Sequence, residues 1–189
     1  MRICISGIIG AGKSTLSEQL GEELKAHVFH ETVDENKYLP LFYKDMEKYS
    51  FPMQIFLLTK RFQQHQQMLW KQEVTIQDRC IYEDIIFAKM LKKSGLMTDL
   101  DFHTYENLYK NLSNFLQKPD IIIYLDVTPE KALERIKMRG RESEKTITLS
   151  YLRMLKECYE EWLKEIGVKI VRLDWNTFQD VKKIRNSIM

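Results

Sequence analysis

The sequence predicts a three-layer α/β fold, a five-stranded parallel sheet with helices on both faces. Three observations carry this. Short β-branched runs alternate with longer segments of helical periodicity along the whole chain. One run, Asp120 to Asp126 (DIIIYLD), is apolar almost throughout, as a central parallel strand covered on both faces requires. Only four prolines and seven glycines interrupt the 189 residues, which suits one compact, helix-rich domain over 1–189.

The elements follow in order. Residues 2–6 are a short apolar run ending at Gly7, a buried strand. Lys13 to Ala26 place Leu16, Leu20 and Leu24 four apart, a helix with one apolar face. His27 to Glu31 is a second strand. Phe51 to Gln72 is a long helix, with Phe51, Ile55, Leu58 and Phe62 on one side and a solvated glutamine-rich face at Gln63-Gln64-His65-Gln66-Gln67. Val74 to Asp78 is a third strand, and helices are expected over 82–93 and 100–116. After the 120–126 strand, Thr128 is placed to cap a helix whose first turn holds Pro129, where a missing N–H costs nothing. A helix over 149–166 and a strand over 168–173 complete the pattern. Ligands of such sheets bind beyond the carboxyl ends of the strands, which directs attention to Gly7, Glu31, Asp78, Asp126 and Asp174.

Hydrophobic residues make up 44% and charged residues 30%, the balance of a globular chain rather than a disordered one. A net charge of +2 makes no electrostatic case for a nucleic-acid or membrane partner. Cys4, Cys80 and Cys158 are odd in number and lack metal-ligand spacing, so the expectation is a reduced, cytoplasmic protein. No apolar run is long enough to span a bilayer. The first strand runs directly into a glycine loop, so no leader peptide is expected before it.

Gly7-Ile8-Ile9-Gly10-Ala11-Gly12-Lys13-Ser14 satisfies G-x-x-x-x-G-K-[ST] in full, between a predicted strand and a predicted helix. The glycines let successive backbone N–H groups turn onto an anion, and the following helix adds the positive end of its dipole. Lys13 is expected at the β- and γ-phosphates of a nucleoside triphosphate and Ser14 on Mg²⁺, with Gly7, Gly10, Ala11, Gly12 and Thr15 in the cradle. The fold is therefore of the P-loop NTPase type. A GTPase switch is excluded, because no Asp has Gly three residues on and the lone Asn-Lys, Asn36-Lys37, continues Tyr38-Leu39.

A kinase needs an acceptor pocket, a group near the attacking hydroxyl and cations around the phosphoryl. Glu31 ends the second strand and is followed by Thr32-Val33-Asp34-Glu35-Asn36; a carboxylate there can accept an alcohol's proton. Asp78-Arg79 ends the third strand beside the P-loop: Asp78 can hold Mg²⁺ directly or through water, and Arg79 can steady Glu31 or the phosphates. Arg135, Arg139 and Arg141 form R-x-x-x-R-G-R, with Gly140 as the hinge of an arginine-bearing lid.

With these residues in place, the sequence resembles the deoxyribonucleoside kinase family, the group of deoxycytidine, deoxyguanosine and bacterial-type deoxyadenosine kinases. The matching pieces are GIIGAGKST at 7–15, Glu31, YKDMEKYSFPMQ at 43–54, Arg61, QDRCIYED at 77–84, IIIYLD at 121–126, RIKMRGRESE at 135–144 and LD at 173–174. The IYED and FAKML wording is most like the bacterial purine type. The resemblance implies Glu31 as the base at the 5′-hydroxyl, Gln54 reading the base edge, and Tyr43 with Glu144 on the 3′-hydroxyl. It implies Arg79 and the lid arginines on the transferring charge, and Asp174 through Phe178 against the base of ATP or another triphosphate donor. It also implies a homodimer, here through helices 51–72 and 99–116. The chain departs from the family at Asp78, where animal members often carry Glu, at Cys80, where Ser is usual, and at Asn36, where deoxycytidine kinase has a bulky aromatic. Between Asp78 and Phe87 it is one residue shorter than deoxycytidine kinase, so either Glu83 or Asp84 is the partner of Arg61.

Two other functions compete with this one. A nucleoside monophosphate kinase of the thymidylate kinase type shares the fold and a strand-end Asp-Arg. Its acceptor is a phosphate dianion facing Glu31, and two unit charges about 4 Å apart at an effective dielectric near 20 repel by roughly 4 kcal/mol. Its P-loop also commonly carries an acidic residue where this chain has Ile9. A non-catalytic nucleotide sensor has no use for Glu31, Asp78 and the lid arginines together. The reading preferred is a deoxynucleoside kinase accepting deoxyadenosine, deoxyguanosine or deoxycytidine, with thymidine poor.

Overall fold

The computed structural model describes residues 1–31 and 36–188. Residues 32–35, which follow Glu31 in the acceptor-side segment singled out above, lie outside the described residues. Five strands, β1 (Arg2–Ser6), β2 (His27–Phe29), β3 (Thr75–Asp78), β4 (Ile121–Asp126) and β5 (Lys169–Asp174), form one parallel sheet in the order β2-β3-β1-β4-β5. The order reverses around β1, which lies between β3 and β4, and this switch point is where a doubly wound sheet opens a crevice.

Eight α-helices accompany the strands among the described residues: α1 (Lys13–Leu24), α2 (Leu39–Lys44), α3 (Met46–Leu69), α4 (Asp84–Lys93), α5 (Asp99–Asn114), α6 (Pro129–Arg139), α7 (Leu149–Glu165) and α8 (Val181–Ile188). Ile3, Ile5, Ile76, Ile122 and Ile123 are wholly excluded from solvent, each such burial contributing roughly 1.5–3 kcal/mol. Their β-branching suits the pleat, and their burial on both faces explains why the strands do not alternate. Local capping chemistry fixes the helix starts. Thr98, Thr128 and Thr148 each accept a hydrogen bond from the backbone N–H three residues on, as does Asp45 at the start of α3.

The structure departs from expectation in instructive ways. Helix α3 begins at Met46, not Phe51, because Asp45 caps it and Pro52 is accommodated inside it. Its inward face runs through Gln54, Leu58, Arg61, His65 and Met68, whereas Phe51, Ile55 and Phe62 are only half-buried. The glutamine-rich stretch is not uniformly solvated: His65 is fully buried, bonded through Nε2 to the Gln117 carbonyl at 2.8 Å. Helices α2 and α8 were missed, the first hidden by Pro40 in its opening turn and the second by its short, polar composition. No helix among the described residues is long and apolar enough to cross a membrane.

Candidate active site

Beyond Ser6 the chain leaves β1 and wraps the P-loop. Gly10 and Gly12 have φ of 79° and 93°, a region L-side chains rarely enter. A Cβ on Gly10 would stand 2.5 Å from the Ala132 carbonyl oxygen, and one on Gly12 would stand 3.1 Å from the Phe178 ring and 3.3 Å from the Trp175 indole nitrogen. Both glycines are thus required by conformation and by space. Lys13, 7% exposed, donates from Nζ to the Gly7 and Ile8 carbonyls at 3.1 Å each. Burial, reinforced by the nearby Arg79, lowers its pKa to about 8 against the pull of Asp78, Glu31 and Glu83.

The register Ile5↔Asp78 carries Asp78 to the side of the P-loop. Ser14 Oγ donates to Asp78 Oδ2 at 2.5 Å, while Asp78 Oδ1 is buried with no hydrogen-bond partner among the described residues. A hydroxyl and a carboxylate in contact, with one carboxylate oxygen uncommitted, fit an oxygen-seeking divalent cation such as Mg²⁺. Burial and the neighbouring Glu31 push the Asp78 carboxyl up, with Lys13 opposing.

At the ends of β2 and β3 lies a carboxylate held by two arginines. Glu31 Oε1 accepts from Arg61 Nη2 at 2.5 Å and from Arg79 Nε at 3.1 Å. Burial disfavours its charge, yet Arg79, Arg61 and Lys13 outweigh burial and bring its pKa to about 2. Arg79 has φ of 67°, a left-handed conformation that costs a non-glycine residue on the order of 1–3 kcal/mol. The conformation directs its guanidinium back under the sheet end, 4.7 Å above the Phe87 ring. Arg61 also binds Asp84 through Nη1, which decides the alternative left open by the sequence: Asp84 is its partner. Burial raises the Asp84 carboxyl to about 7, against Arg61 and Arg79.

The P-loop and this cluster share one cavity of ≈ 280 Å³. Its wall includes Lys13, Ser14, Thr15, Glu31 and Arg79 from the strand ends. Helix α3 adds Gln54 and Arg61, α2 adds Tyr43, α6 adds its last residue, Arg139, and the segment after it adds Arg141 and Glu144. Gln54 is 2% exposed, and its Oε1 has no hydrogen-bond partner among the described residues. An amide oxygen left unpaired beside a cavity is costly unless a ligand completes it. Gly140 has φ of 68° and closes α6, and Arg139 and Arg141 then turn back to Glu144 at 2.5 and 3.6 Å. Burial and the neighbouring Tyr151 and Glu144 raise the Tyr43 hydroxyl pKa well above its usual value.

Asp78 and Asp84 lie behind the wall, bonded to Ser14 and Arg61, and Arg135, Asp174 and Phe178 stand apart from the cavity. Arg135 does not face it: its guanidinium donates to the carbonyls of Ala11 (3.0 Å), Trp175 (2.7 Å) and Asn176 (3.1 Å) and lies 4.6 Å over the Phe178 ring. On the second turn of α6, it reaches the seam between the P-loop and the segment after β5 before the phosphates. Asp174 and Phe178 lie on that same seam, Asp174 Oδ1 accepting from the Asn176 backbone N–H at 3.1 Å. Sequence reasoning missed Tyr159, Phe87 and Tyr151, and it placed Glu83 only as a possible partner of Arg61. Each is buried, and nothing in its spacing separates it from core.

The chain is similar to known proteins over nearly its whole length. The family model for deoxynucleoside kinases matches residues 3–189. A deoxyadenosine kinase of Dictyostelium discoideum is 50% identical over 98% of this chain and 77% of its own length. A deoxyadenosine/deoxycytidine kinase of Bacillus subtilis is 36% identical over 98% of this chain and 89% of its own. The solved structure of M. mycoides deoxyadenosine kinase with dATP bound is 36% identical, with a TM-score of 0.91 over 100% of this chain and 98% of that one. The same kinase has been solved with dCMP and dCDP, at 37% identity and a TM-score of 0.90. A P-loop and an arginine-held carboxylate on one cavity, in a chain matched from residue 3 to residue 189, place this protein in the deoxynucleoside kinase family.

Proposed function

We propose that the chain transfers the γ-phosphoryl of ATP, or another nucleoside triphosphate, to the 5′-hydroxyl of a deoxynucleoside, favouring purines and accepting deoxycytidine. One observation carries the reading: Glu31 is fixed through Oε1 by two arginines on the wall of the cavity that also holds Lys13. Its other oxygen accepts no hydrogen bond among the described residues and is left for a hydroxyl donor. With a pKa of about 2, Glu31 orients the hydroxyl as an acceptor and takes its proton late, which a loose phosphoryl-transfer transition state permits. Lys13, Arg139 and Arg141 are the cations for the transferring phosphoryl, with Arg79 beside the attacking oxygen. Ser14 and Asp78 would hold Mg²⁺, which would supply charge neutralisation at the donor phosphates.

The base is assigned to the wall made by Gln54 and Arg61, with Asp84 bound to Arg61 behind it. Gln54 supplies one acceptor and two donors, enough to pair with an adenine, guanine or cytosine edge according to its flip. The Arg61–Asp84 pair fills the space a thymine methyl would need and gains nothing from contact with it. The 3′-hydroxyl is assigned to Tyr43 and Glu144. Relatives named as deoxyadenosine and deoxyguanosine kinases support the purine preference. A homodimer across α3 and α5 is supported by the exposed Trp70 (82%) and Phe115 (85%) at the ends of those helices. Three unpaired cysteines suit a reducing, cytoplasmic setting. The test is Glu31→Gln: kcat falls on the order of 10²-fold or more while the KM for deoxynucleoside changes little. A normal kcat with a raised KM would reduce Glu31 to a binding residue.

A further inference from the structure

Glu83 is a buried carboxylate that does not line the cavity, and most of its contacts lead to Arg79. It is 0% exposed. Its Oε1 accepts from the Cys80 backbone N–H at 3.1 Å and from Cys4 Sγ at 3.4 Å. The first of these closes the short 3-10 turn Ile81–Glu83 that begins directly after Arg79 and Cys80. Its Oε2 accepts from the Tyr159 hydroxyl at 2.6 Å and lies 3.5 Å from Arg79 Nη1. The Tyr159 hydroxyl in turn accepts from Arg79 Nη1 at 2.5 Å. One side chain therefore fixes the backbone turn that follows Arg79 and also the far edge of the Arg79 guanidinium. The near edge, Nε, is left to Glu31 at 3.1 Å.

The geometry points to Glu83 as a positioning residue for phosphoryl transfer, acting with Tyr159 through Arg79 to hold the guanidinium against Glu31. Arg79 needs such a clamp for two reasons. Its backbone sits at φ 67°, where a non-glycine residue stays only if its surroundings hold it. Its side chain also has a competing target, since the cavity is built for polyanionic phosphate, and an unrestrained guanidinium would swing toward that charge. Glu83 supplies a counter-charge behind Arg79 that opposes the swing. Tyr159 converts that charge into a direction, because its hydroxyl can donate to only one oxygen and does so to Glu83. The inference rests on the reading that Glu31 receives the 5′-hydroxyl.

The experiment is a double-mutant cycle between Glu83→Gln and Arg79→Lys, with Glu31→Gln assayed beside it, using ATP, Mg²⁺ and deoxyadenosine. Glutamine keeps the acceptor for the Cys80 N–H and removes the counter-charge. The expected result is a kcat lowered on the order of 10- to 100-fold, the cost of an ångström-scale misplacement at a reacting centre, with KM for deoxyadenosine unchanged within error. The same substitution in the Arg79→Lys background should have no further effect on kcat. An unchanged kcat in a folded Glu83→Gln protein, or an equal loss in both backgrounds, would overturn the assignment and leave Glu83 a structural residue. If Glu83→Gln does not fold, Tyr159→Phe reads the same clamp from α7. It should lower kcat in the same non-additive way, and additivity there would equally overturn the proposal. A normal kcat for Glu31→Gln would sink the reading of Glu31 alone, since the Glu83–Arg79 cycle is scored without it.

Discussion

Above pH 8 the affinity for the triphosphate donor should fall about tenfold per pH unit, because of Lys13. Its ammonium is buried against the Gly7 and Ile8 carbonyls, and its pKa is lowered to about 8 from the ordinary lysine value of 10.5. The gap is equivalent to roughly 3 kcal/mol of disfavoured charge. That charge is disfavoured only while the anion is absent. A bound triphosphate returns the pKa toward its ordinary value, so protonation and donor binding are linked. The free protein should be half-protonated at this site at pH 8, so binding there takes up about 0.5 proton, rising to about 0.9 at pH 9 and falling to about 0.1 at pH 7. Supplied as its Mg²⁺ complex, ATP is fully ionised from pH 7 upward and adds no proton of its own. Calorimetry in buffers of different ionisation enthalpy counts the protons directly, and Lys13→Met should abolish the uptake along with tight binding. Flat affinity to pH 9.5 with no proton uptake would refute the argument and require an ordinary Lys13.

Gly12→Ala should destabilise the fold on the order of 1–3 kcal/mol and weaken donor binding, since φ 93° and the Trp175 and Phe178 rings leave no place for a Cβ; thermal unfolding and donor titration read the two effects. If Tyr43 and Glu144 grip the 3′-hydroxyl, 2′,3′-dideoxynucleosides should lose at least about tenfold in kcat/KM, and equal efficiency would remove both residues from substrate binding. Asp84 sets a pH dependence of stability. Its folded pKa of about 7 lies above its value in the unfolded chain, so the folded state binds the extra proton and stability falls as pH rises from about 4 through 7. Asp84→Asn should flatten urea-unfolding free energies between pH 5 and 8 by up to about 3 kcal/mol. Glu31 works in the opposite sense, but its window lies between pH 4.5 and 2, outside that range.

The sheet was readable because a parallel core needs unbroken β-branched runs, and Ile121 to Leu125 can be little else. The P-loop was readable because its backbone geometry demands glycine at fixed spacing. Glu31, Asp78 and Arg79 were findable because charged residues at strand ends have little structural reason to be there. What resisted was whatever chemistry borrows from the core. The inward face of α3 carries Gln54, Arg61 and His65, so apolar periodicity pointed to Phe51, Ile55 and Phe62 instead. Glu83 and Tyr159 act through contacts 76 residues apart in sequence, and spacing cannot register those. Arg135 sits one helical turn before Arg139, but its guanidinium is bonded to the carbonyls of Ala11, Trp175 and Asn176, which spacing alone does not show.

Steady-state kcat/KM for deoxyadenosine, deoxyguanosine, deoxycytidine and thymidine, with deoxyadenosine monophosphate as a fifth acceptor and ATP as donor, tests the assignment of the cavity most directly. The account predicts a purine deoxynucleoside first, deoxycytidine accepted, and thymidine at least about tenfold below the best, the discrimination expected when a group crowds a buried polar pair without pairing to it. It predicts no transfer to the monophosphate, whose charge would face Glu31. Thymidine as the best acceptor would contradict the placement of the base against Arg61 and Asp84, and efficient phosphorylation of the monophosphate would contradict Glu31 as the site of the 5′-hydroxyl.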